Sequence, residues 1–268
     1  MSNTPSVSVV TRSFNRPELL KEVAKKLKSQ TIQDFEWIVV DDCSSQEILK
    51  QDLNACKPDF GIRVFRNEKN LGLAKSAQIG ISEALGKYIL IHDDDDYLLP
   101  MALEQLQGAI VGNFIGATGG VRRIFQSGRQ ETYMPTVPPL ISDIGHRNKI
   151  TTIATMFLKS AYHETEGIDV ELQALEDWDL WLKLLLLGDF EAVPNIIAIQ
   201  RVGSTDQTLR STHVRQMAIM RNKYLRDDIK RNAIGLGYVT NIPAPETIGR
   251  LDYLLAFLSR LKKQFLRR

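Results

Sequence analysis

Four consecutive aspartates follow a short apolar run, and this juxtaposition constrains the fold more than any other feature of the sequence. The run Tyr88 to Ile91 predicts a buried strand that ends just before the acid run, Asp93 to Asp96. Because side chains alternate between the faces of a strand, Asp93 and Asp95 would share one face, and Asp94 and Asp96 the other. Two converging carboxylates suit a hard divalent cation such as Mg²⁺ or Mn²⁺. The alternative is a solvated acidic turn, which rarely follows a buried strand so directly.

Strand and helix patterns alternate through the first hundred residues. This alternation predicts an α/β fold with a Rossmann-like, mostly parallel sheet flanked by helices. Ligands bind at the carboxyl ends of the strands in such sheets, where the acid run and a second acidic pair, Asp41 and Asp42, both lie. The predicted strands are 6–11, 35–40, 62–65 and 88–91. One predicted helix begins near Pro17, with Asn15 as its cap, and a second helix is predicted over 73–85.

The second half is less regular. Residues 116–150 predict a strand followed by a long loop, which in a compact domain tends to be functional or mobile. Residues 176–187 predict a helix that stops at Gly188, and 192–200 a further strand. Residues 248–268 have the pattern of an amphipathic helix. We therefore expect one large domain over 1–235, which would hold the functional site, and a basic amphipathic extension over 236–268.

Composition excludes several classes of protein. The chain has 268 residues, 43% hydrophobic and 25% charged, typical of a soluble globular protein. No apolar stretch approaches a membrane span, and the first residues do not resemble a signal peptide. Two cysteines, Cys43 and Cys56, are expected to be reduced thiols of a cytosolic protein. Six Lys or Arg and one acid fall in residues 249–268, so the remaining chain is slightly acidic, which argues against a nucleic-acid partner.

Five motifs, in order, resemble those of the inverting, metal-dependent glycosyltransferases of the GT-A fold, often called family 2. The acid run stands where that family has its metal motif, usually Asp-x-Asp-Asp. The resemblance covers about residues 6–205. The other matching segments are Val7 to Arg16, Val39 to Ser45, Asn70 to Ala74, and Glu176 to Trp181.

The resemblance implies a site for a UDP-sugar and Mn²⁺ or Mg²⁺. Asp95 would be a direct metal ligand, and Asp93 a ligand or a contact to ribose and metal-bound water. Asp94 and Asp96 would orient the site, with exposed turn acids as the alternative. Asp42 would accept a hydrogen bond from uracil. The remaining nucleotide-sugar contacts would come from Thr11, Arg12, Asp41, Asn70, Lys75 and Asp94.

The Glu176-Asp177 pair would supply the catalytic base by the same resemblance. Asp177 would take the proton from the acceptor hydroxyl, whereas from the residues alone an acidic first turn of a helix is the preferred interpretation. Trp178 is a candidate acceptor contact because aromatic faces suit sugar rings, with the core as its alternative. Arg201 and His213 are further acceptor-side candidates.

Two departures from the family pattern concern positive charge and a metal-contacting histidine. The helix after Gly72 usually carries an Arg-Asn pair, where this chain has Ala77 and Gln78, so Lys75 or Arg12 would have to supply the charge. The Arg near the end of the domain is often followed by a His that touches the metal. Here Arg201 has no such neighbour, and His213 would be its substitute.

The expected function is transfer of a hexose, Glc or Gal, from a UDP-sugar to a lipid-diphosphate-linked sugar such as GlcNAc-PP-undecaprenol, in O-antigen or capsule synthesis. The basic residues 249–268 would contact the inner face of the cell membrane from the cytoplasm. One alternative is a sugar nucleotidyltransferase, although residues 11–15 hold no glycine for a phosphate loop. The other is a non-catalytic membrane-associated nucleotide-sugar-binding protein, which Ala77 and Gln78 favour and the intact acidic motifs oppose.

Overall fold

A computed structural model describes residues 4–48, 53–54, 60–144, 148–172 and 174–202. His213, Cys56, the predicted helix over 248–268 and the boundary between the two predicted domains lie outside these residues. None of the helices in the described part of the chain is long and apolar enough to cross a membrane.

The first half of the chain has the predicted alternation of strand and helix. Each strand is a run of apolar and β-branched residues, and β1 and β2 are buried along their whole length. The elements are β1 (Val7–Ser13), α1 (Pro17–Lys28), β2 (Phe35–Asp41), β3 (Gly61–Arg66), α2 (Gly72–Glu83), β4 (Tyr88–Asp93), β5 (Tyr97–Leu98) and α3 (Ala102–Ala109).

The second half contains more regular structure than its sequence predicted. The segment expected to be a strand and a long loop forms a hairpin, because β6 turns back into β7 through Gly128 in the left-handed conformation. The elements are β6 (Phe114–Phe125), β7 (Gln130–Tyr133), α4 (Ile141–Ile144), a 3₁₀ turn (Thr152–Ala154), β8 (Thr155–Leu158), α5 (Lys159–His163), α6 (Glu176–Leu187) and β9 (Asp189–Val202).

The strands of the described residues join one mixed sheet in the order β3-β2-β1-β4-β8-β6-β9-β5, with β7 paired to β6. The first four strands in this order are parallel, as the sequence predicted. The later part is mixed: β8 is antiparallel to β4 and β6, β6 and β9 are parallel, and β5 is antiparallel to β9. The short β8 therefore joins the parallel half to the second half.

Helices cover both faces of the sheet. Alternate residues of β1 enter two different cores: Val9 packs with α1 and α3, and Val10 packs with α2 and α6. The second core holds Trp181 and Phe157, which meet edge to face. This three-layer packing fixes the carboxyl ends of β1, β2 and β4 side by side.

One local prediction about α1 is wrong. Asn15 does not cap the helix; Arg16 is the N-cap residue, and no side chain bonds the helix start. Asn15 instead adopts φ 56°, and its side-chain oxygen accepts hydrogen bonds from the backbone N–H and hydroxyl of Ser45. Asn tolerates the left-handed region better than most residues, so it ties the β1–α1 loop to the loop after β2.

Candidate active site

A cavity of about 500 Å³ opens where β1, β2 and β4 end. It lies at the strand edge where parallel α/β sheets bind ligands. Predicted residues that line it are Arg12, Asp42, Asn70, Asp93, Asp94 and Asp95. The structure thus brings together side chains that are up to 83 positions apart in the sequence.

The acid run has the alternating exposure that the sequence predicted. Asp94 and Asp96 are 5% and 2% exposed, whereas the side chains of Asp93 and Asp95 are 32% and 41% exposed. Asp94 accepts a hydrogen bond from the Ser13 hydroxyl at 2.6 Å, and Asp96 accepts one from the backbone N–H of Arg201 at 2.9 Å. The two buried acids anchor the run, so a solvated acidic turn is excluded.

Burial also sets the protonation of these acids. It raises the pKa of the Asp94 carboxyl, and it raises that of Asp96 to about 8, with repulsion from Asp93 adding to the shift. A pKa of about 8 favours the protonated form of Asp96 at neutral pH, which reduces the repulsion within the acid run.

Two arginines face the acid run. Arg12 is buried, and its guanidinium donates to Asp93 at 3.0–3.1 Å and to Glu176 at 3.0 Å. Burial opposes this charge, but the two acids outweigh it and hold the pKa of Arg12 above its ordinary value. Arg16 is half exposed and reaches Asp94 at 3.0 Å and Asp95 at 3.2 Å. Of the two candidates for the missing positive charge, Arg12 contacts the acid run, whereas Lys75 bonds Gln78.

Asp42 organises the rim of the cavity. One of its carboxylate oxygens accepts from the Asn67 side chain and the Leu71 backbone N–H, at 2.8 and 2.7 Å, and the other accepts from the Gly72 N–H at 2.8 Å. These bonds hold the start of α2, where Gly72 has φ +82°. Its predicted contact to uracil stays a prediction.

Asp177 lies in the first turn of α6, after Leu175, whose φ of 66° is unusual for a bulky residue. One carboxylate oxygen accepts from the side chains of Asn148 and Thr152 at 3.2 and 3.0 Å, and the other from the Trp178 N–H at 2.7 Å. Burial, with repulsion from Glu176, raises the pKa of Asp177 to about 6. A carboxyl with this pKa suits a general base near neutral pH.

Several predicted site residues lie away from the cavity. Thr11 is fully buried and accepts from the indole of Trp37, and the buried Asp41 bonds the Ser44 N–H and Arg66. Lys75 bonds Gln78 and lines a different depression beside Tyr162 and His163.

The acceptor-side candidates also differ from expectation where they are described. Trp178 is 3% exposed and donates to the Ile144 carbonyl, so it is the core residue of the alternative interpretation. The guanidinium of Arg201 lies over the Tyr97 ring, 4.4 Å from its centroid, in a second depression of about 440 Å³ beside Glu22.

Sequence reasoning missed Ser13, Arg16, Asn148 and Thr152 as members of the site. Ser13 and Arg16 fall within the first family-like motif, so their position was a usable signal. Asn148 and Thr152 come from an irregular segment, and nothing local marks them.

The described residues hold no group of three or more His, Cys, Asp or Glu arranged to bind a metal ion. The exposed oxygens of Asp93 and Asp95 nevertheless fit Mg²⁺ or Mn²⁺ bound together with a nucleotide. Such ions are commonly held by one or two carboxylates, with substrate phosphates completing the coordination. The donor set therefore fits a metal–diphosphate complex better than an all-protein metal site.

Carboxylates at the strand ends of an α/β sheet, with a raised-pKa aspartate on a neighbouring helix, are typical of an enzyme active site. Residues 8–162, more than half of the chain, match the model of "Glycosyl transferase family 2". The chain belongs to this family.

Two relatives illustrate the similarity. The chain is 31% identical over 195 residues to an uncharacterized glycosyltransferase of Haemophilus influenzae; the match covers 67% of this chain and 62% of that protein. It is 36% identical over 103 residues to the GalNAc(5)-diNAcBac-PP-undecaprenol beta-1,3-glucosyltransferase of Campylobacter jejuni, covering 38% of this chain and 33% of that protein.

Solved structures support the predicted GT-A fold. S. aureus TarS 1-349 in complex with UDP has a TM-score of 0.63 at 17% identity and covers 85% of this chain and 69% of that one. GalNAc-T7 with UDP, GalNAc and Mn²⁺ has a TM-score of 0.62 at 17% identity, covering 87% and 50%.

Proposed function

We propose that the protein is an inverting glycosyltransferase that moves a hexose from a UDP-sugar to an acceptor hydroxyl with the help of Mn²⁺ or Mg²⁺. One observation carries the proposal: Asp93, one of the two partly exposed carboxylates of the acid run, is joined through buried Arg12 to Glu176 on the helix that bears Asp177. The acid run thus offers a place for a metal–diphosphate complex, and the helix joined to it carries a carboxyl whose pKa suits a base.

On the donor side, Asp95 and Asp93 would hold the metal. When bound there, it would supply Lewis-acid stabilisation of the negative charge that develops on the departing UDP. Arg16, which is half exposed and borders the same cavity, is placed to attract the diphosphate. Asp42 keeps the loop at residues 67–72 in position as the rim of the nucleotide cavity.

On the acceptor side, Asp177 accepts the proton of the attacking hydroxyl as the bond to the anomeric carbon forms. Asn148 and Thr152 hold its carboxylate in one orientation. A single displacement inverts the anomeric carbon, so an α-linked donor gives a β-linked product.

The acceptor we propose is a sugar carried on a lipid diphosphate, such as GlcNAc-PP-undecaprenol, with Glc or Gal as the transferred sugar. The name of the C. jejuni relative gives an undecaprenol-diphosphate acceptor and a glucosyl donor for that protein. The basic, amphipathic pattern of residues 249–268 is consistent with an acceptor that resides in a membrane. The proposed location is the cytoplasmic surface of the cell membrane.

The function is tested by incubating the protein with labelled UDP-glucose or UDP-galactose, Mn²⁺ and GlcNAc-PP-undecaprenol. The expected products are UDP and a β-linked disaccharide lipid, and Asp177→Asn should remove transfer while leaving UDP binding intact. Asp34→Asn, which changes an exposed aspartate, is the matched control. Release of pyrophosphate with formation of a sugar nucleotide would identify a nucleotidyltransferase instead, and binding without turnover would identify a non-catalytic protein.

The membrane proposal has its own test. Deleting residues 249–268 should reduce co-sedimentation with vesicles that contain anionic lipids, because the six basic residues of this segment are lost. Substituting those six residues by Gln in the full chain is the matched control for charge alone. Undiminished vesicle binding by both variants would contradict a role for this segment.

A further inference from the structure

The buried guanidinium of Arg12 bonds three separate parts of the molecule. It donates to Asp93 at the end of β4, to Glu176 in the first turn of α6 and, at 3.2 Å, to the Leu73 carbonyl in the first turn of α2. These three segments carry the acid run, the candidate base and the rim of the nucleotide cavity. Arg16, the other arginine at the acid run, bonds Asp94 and Asp95 instead.

Burying these charges costs free energy, so stability alone does not explain the arrangement. Removing the guanidinium of Arg12 and the carboxylate of Glu176 from water is expensive, and well-packed apolar side chains would often stabilise a fold equally well. The planar fork of arginine allows bonds in several fixed directions at once, which the single ammonium of lysine cannot reproduce. The observation therefore favours a role in geometry.

We propose that Arg12 is a positioning residue that ties the base-bearing end of α6 to the donor-binding acid run, so that donor binding and the orientation of Asp177 are coupled. This inference rests on the proposed function. A cation bound at Asp93 would share that carboxylate with Arg12, and the guanidinium would then interact more strongly with Glu176. Donor binding would thereby stiffen the first turn of α6.

The charges around Asp177 provide an independent readout. Glu176, its neighbour on α6, raises the pKa of Asp177, whereas Arg12 on β1 lowers it; its other close partners, Asn148 and Thr152, are uncharged. Glu176→Gln should therefore shift the acid limb of the kcat–pH profile to lower pH, and Arg12→Met should shift it to higher pH. Opposite shifts would show that both charges act directly on Asp177, as the geometry requires.

The experiment combines hydrogen exchange of α6 with binding and kinetics of the full chain. In Arg12→Lys, the amides of residues 177–181 should exchange faster than in wild type without any ligand. UDP with Mn²⁺ should slow these amides in wild type and not in Arg12→Lys or Glu176→Gln. In Glu176→Gln, kcat should fall by about 10²-fold, the order expected for a misplaced catalytic group, whereas the Kd for UDP and Mn²⁺ should rise by a much smaller factor.

Arg63→Lys is the matched control, because Arg63 also bonds two acids, Glu36 and Glu83, away from α6. It should leave the exchange of α6 as in wild type.

Glu176→Gln keeps the test available if an Arg12 variant fails to fold. Unchanged α6 exchange in ligand-free Arg12→Lys, or equal losses of kcat and UDP affinity in Glu176→Gln, would overturn the proposal. Absence of UDP binding by wild type would instead overturn the proposed function. The hydrogen exchange of α6 without ligand would still show whether Arg12 ties α6 to the acid run.

Discussion

Replacing Asp177 by Asn should stabilise the protein at alkaline pH while it removes transfer. The pKa of Asp177 is raised from 3.8 to about 6, chiefly by burial. An aspartate with a raised pKa in the folded state costs stability once it is ionised in both states, so the cost is present above pH 6 and is lost as the pH falls toward 4. At pH 8 it amounts to about 3 kcal/mol, from a shift of about two units.

The amide avoids this cost but loses one hydrogen bond. All three partners of the carboxylate donate to it, and an Asn NH₂ cannot accept from Asn148 or from the Trp178 N–H. That loss is worth about 1 kcal/mol, so the net gain of Asp177→Asn at pH 8 is about 2 kcal/mol. At pH 4.5 the remaining cost of the wild-type carboxyl is about 1 kcal/mol, and the variant should then be about as stable as wild type.

Urea denaturation of wild type, Asp177→Asn and Asp34→Asn at pH 8 and pH 4.5 measures these differences. Asp34→Asn should change stability little at either pH, since the side chain of Asp34 is exposed. The transfer rate of Asp177→Asn should fall by about 10²–10⁴-fold. A variant less stable than wild type at pH 8, or a stability difference that does not change with pH, would refute the reasoning about burial.

Three further single variants and one double variant test the packing of the fold. Gly86→Ala should destabilise by about 3 kcal/mol, because a Cβ would lie 2.6 Å from the backbone nitrogen of Ser8. Gly108→Ala, where no atom lies within 4 Å, should stabilise by about 0.5–1 kcal/mol, and thermal melts compare the two. Lys183→Met should cost about 3–5 kcal/mol, because it removes the buried ammonium 2.7 Å from Asp179, and adding Asp179→Leu should recover part of the loss in urea denaturation. Equal melts for the two Gly variants, or a Lys183→Met protein as stable as wild type, would contradict this account of the packing.

The parallel half of the fold was predictable because its signals are local. Strands β2 and β4 are mostly apolar, and the acidic residues stand directly at their ends, as Asp42 and Asp93 do. The four-residue β8 was not predictable in this way. A short apolar run such as Thr155 to Leu158 does not distinguish strand from helix, and its place between β4 and β6 depends on contacts far apart in sequence.

The site was predictable to the level of motifs and not to the level of side-chain direction. Successive helix residues point about 100° apart, so Ser76 lines the nucleotide cavity while Lys75 faces a different depression. Trp178 enters the core because its indole finds a backbone acceptor there. The groups that orient Asp177 come from an irregular segment, which no periodicity describes.

The central claim is that the exposed half of the acid run binds a UDP-sugar together with a divalent metal. Calorimetric titration of UDP into wild type and Asp95→Ala, each with and without Mn²⁺, tests it most directly. The account predicts tight binding by wild type with Mn²⁺, and weak binding by wild type without the metal and by Asp95→Ala in either condition. Binding of UDP that is equally strong with and without Mn²⁺, or that survives in Asp95→Ala, would contradict it.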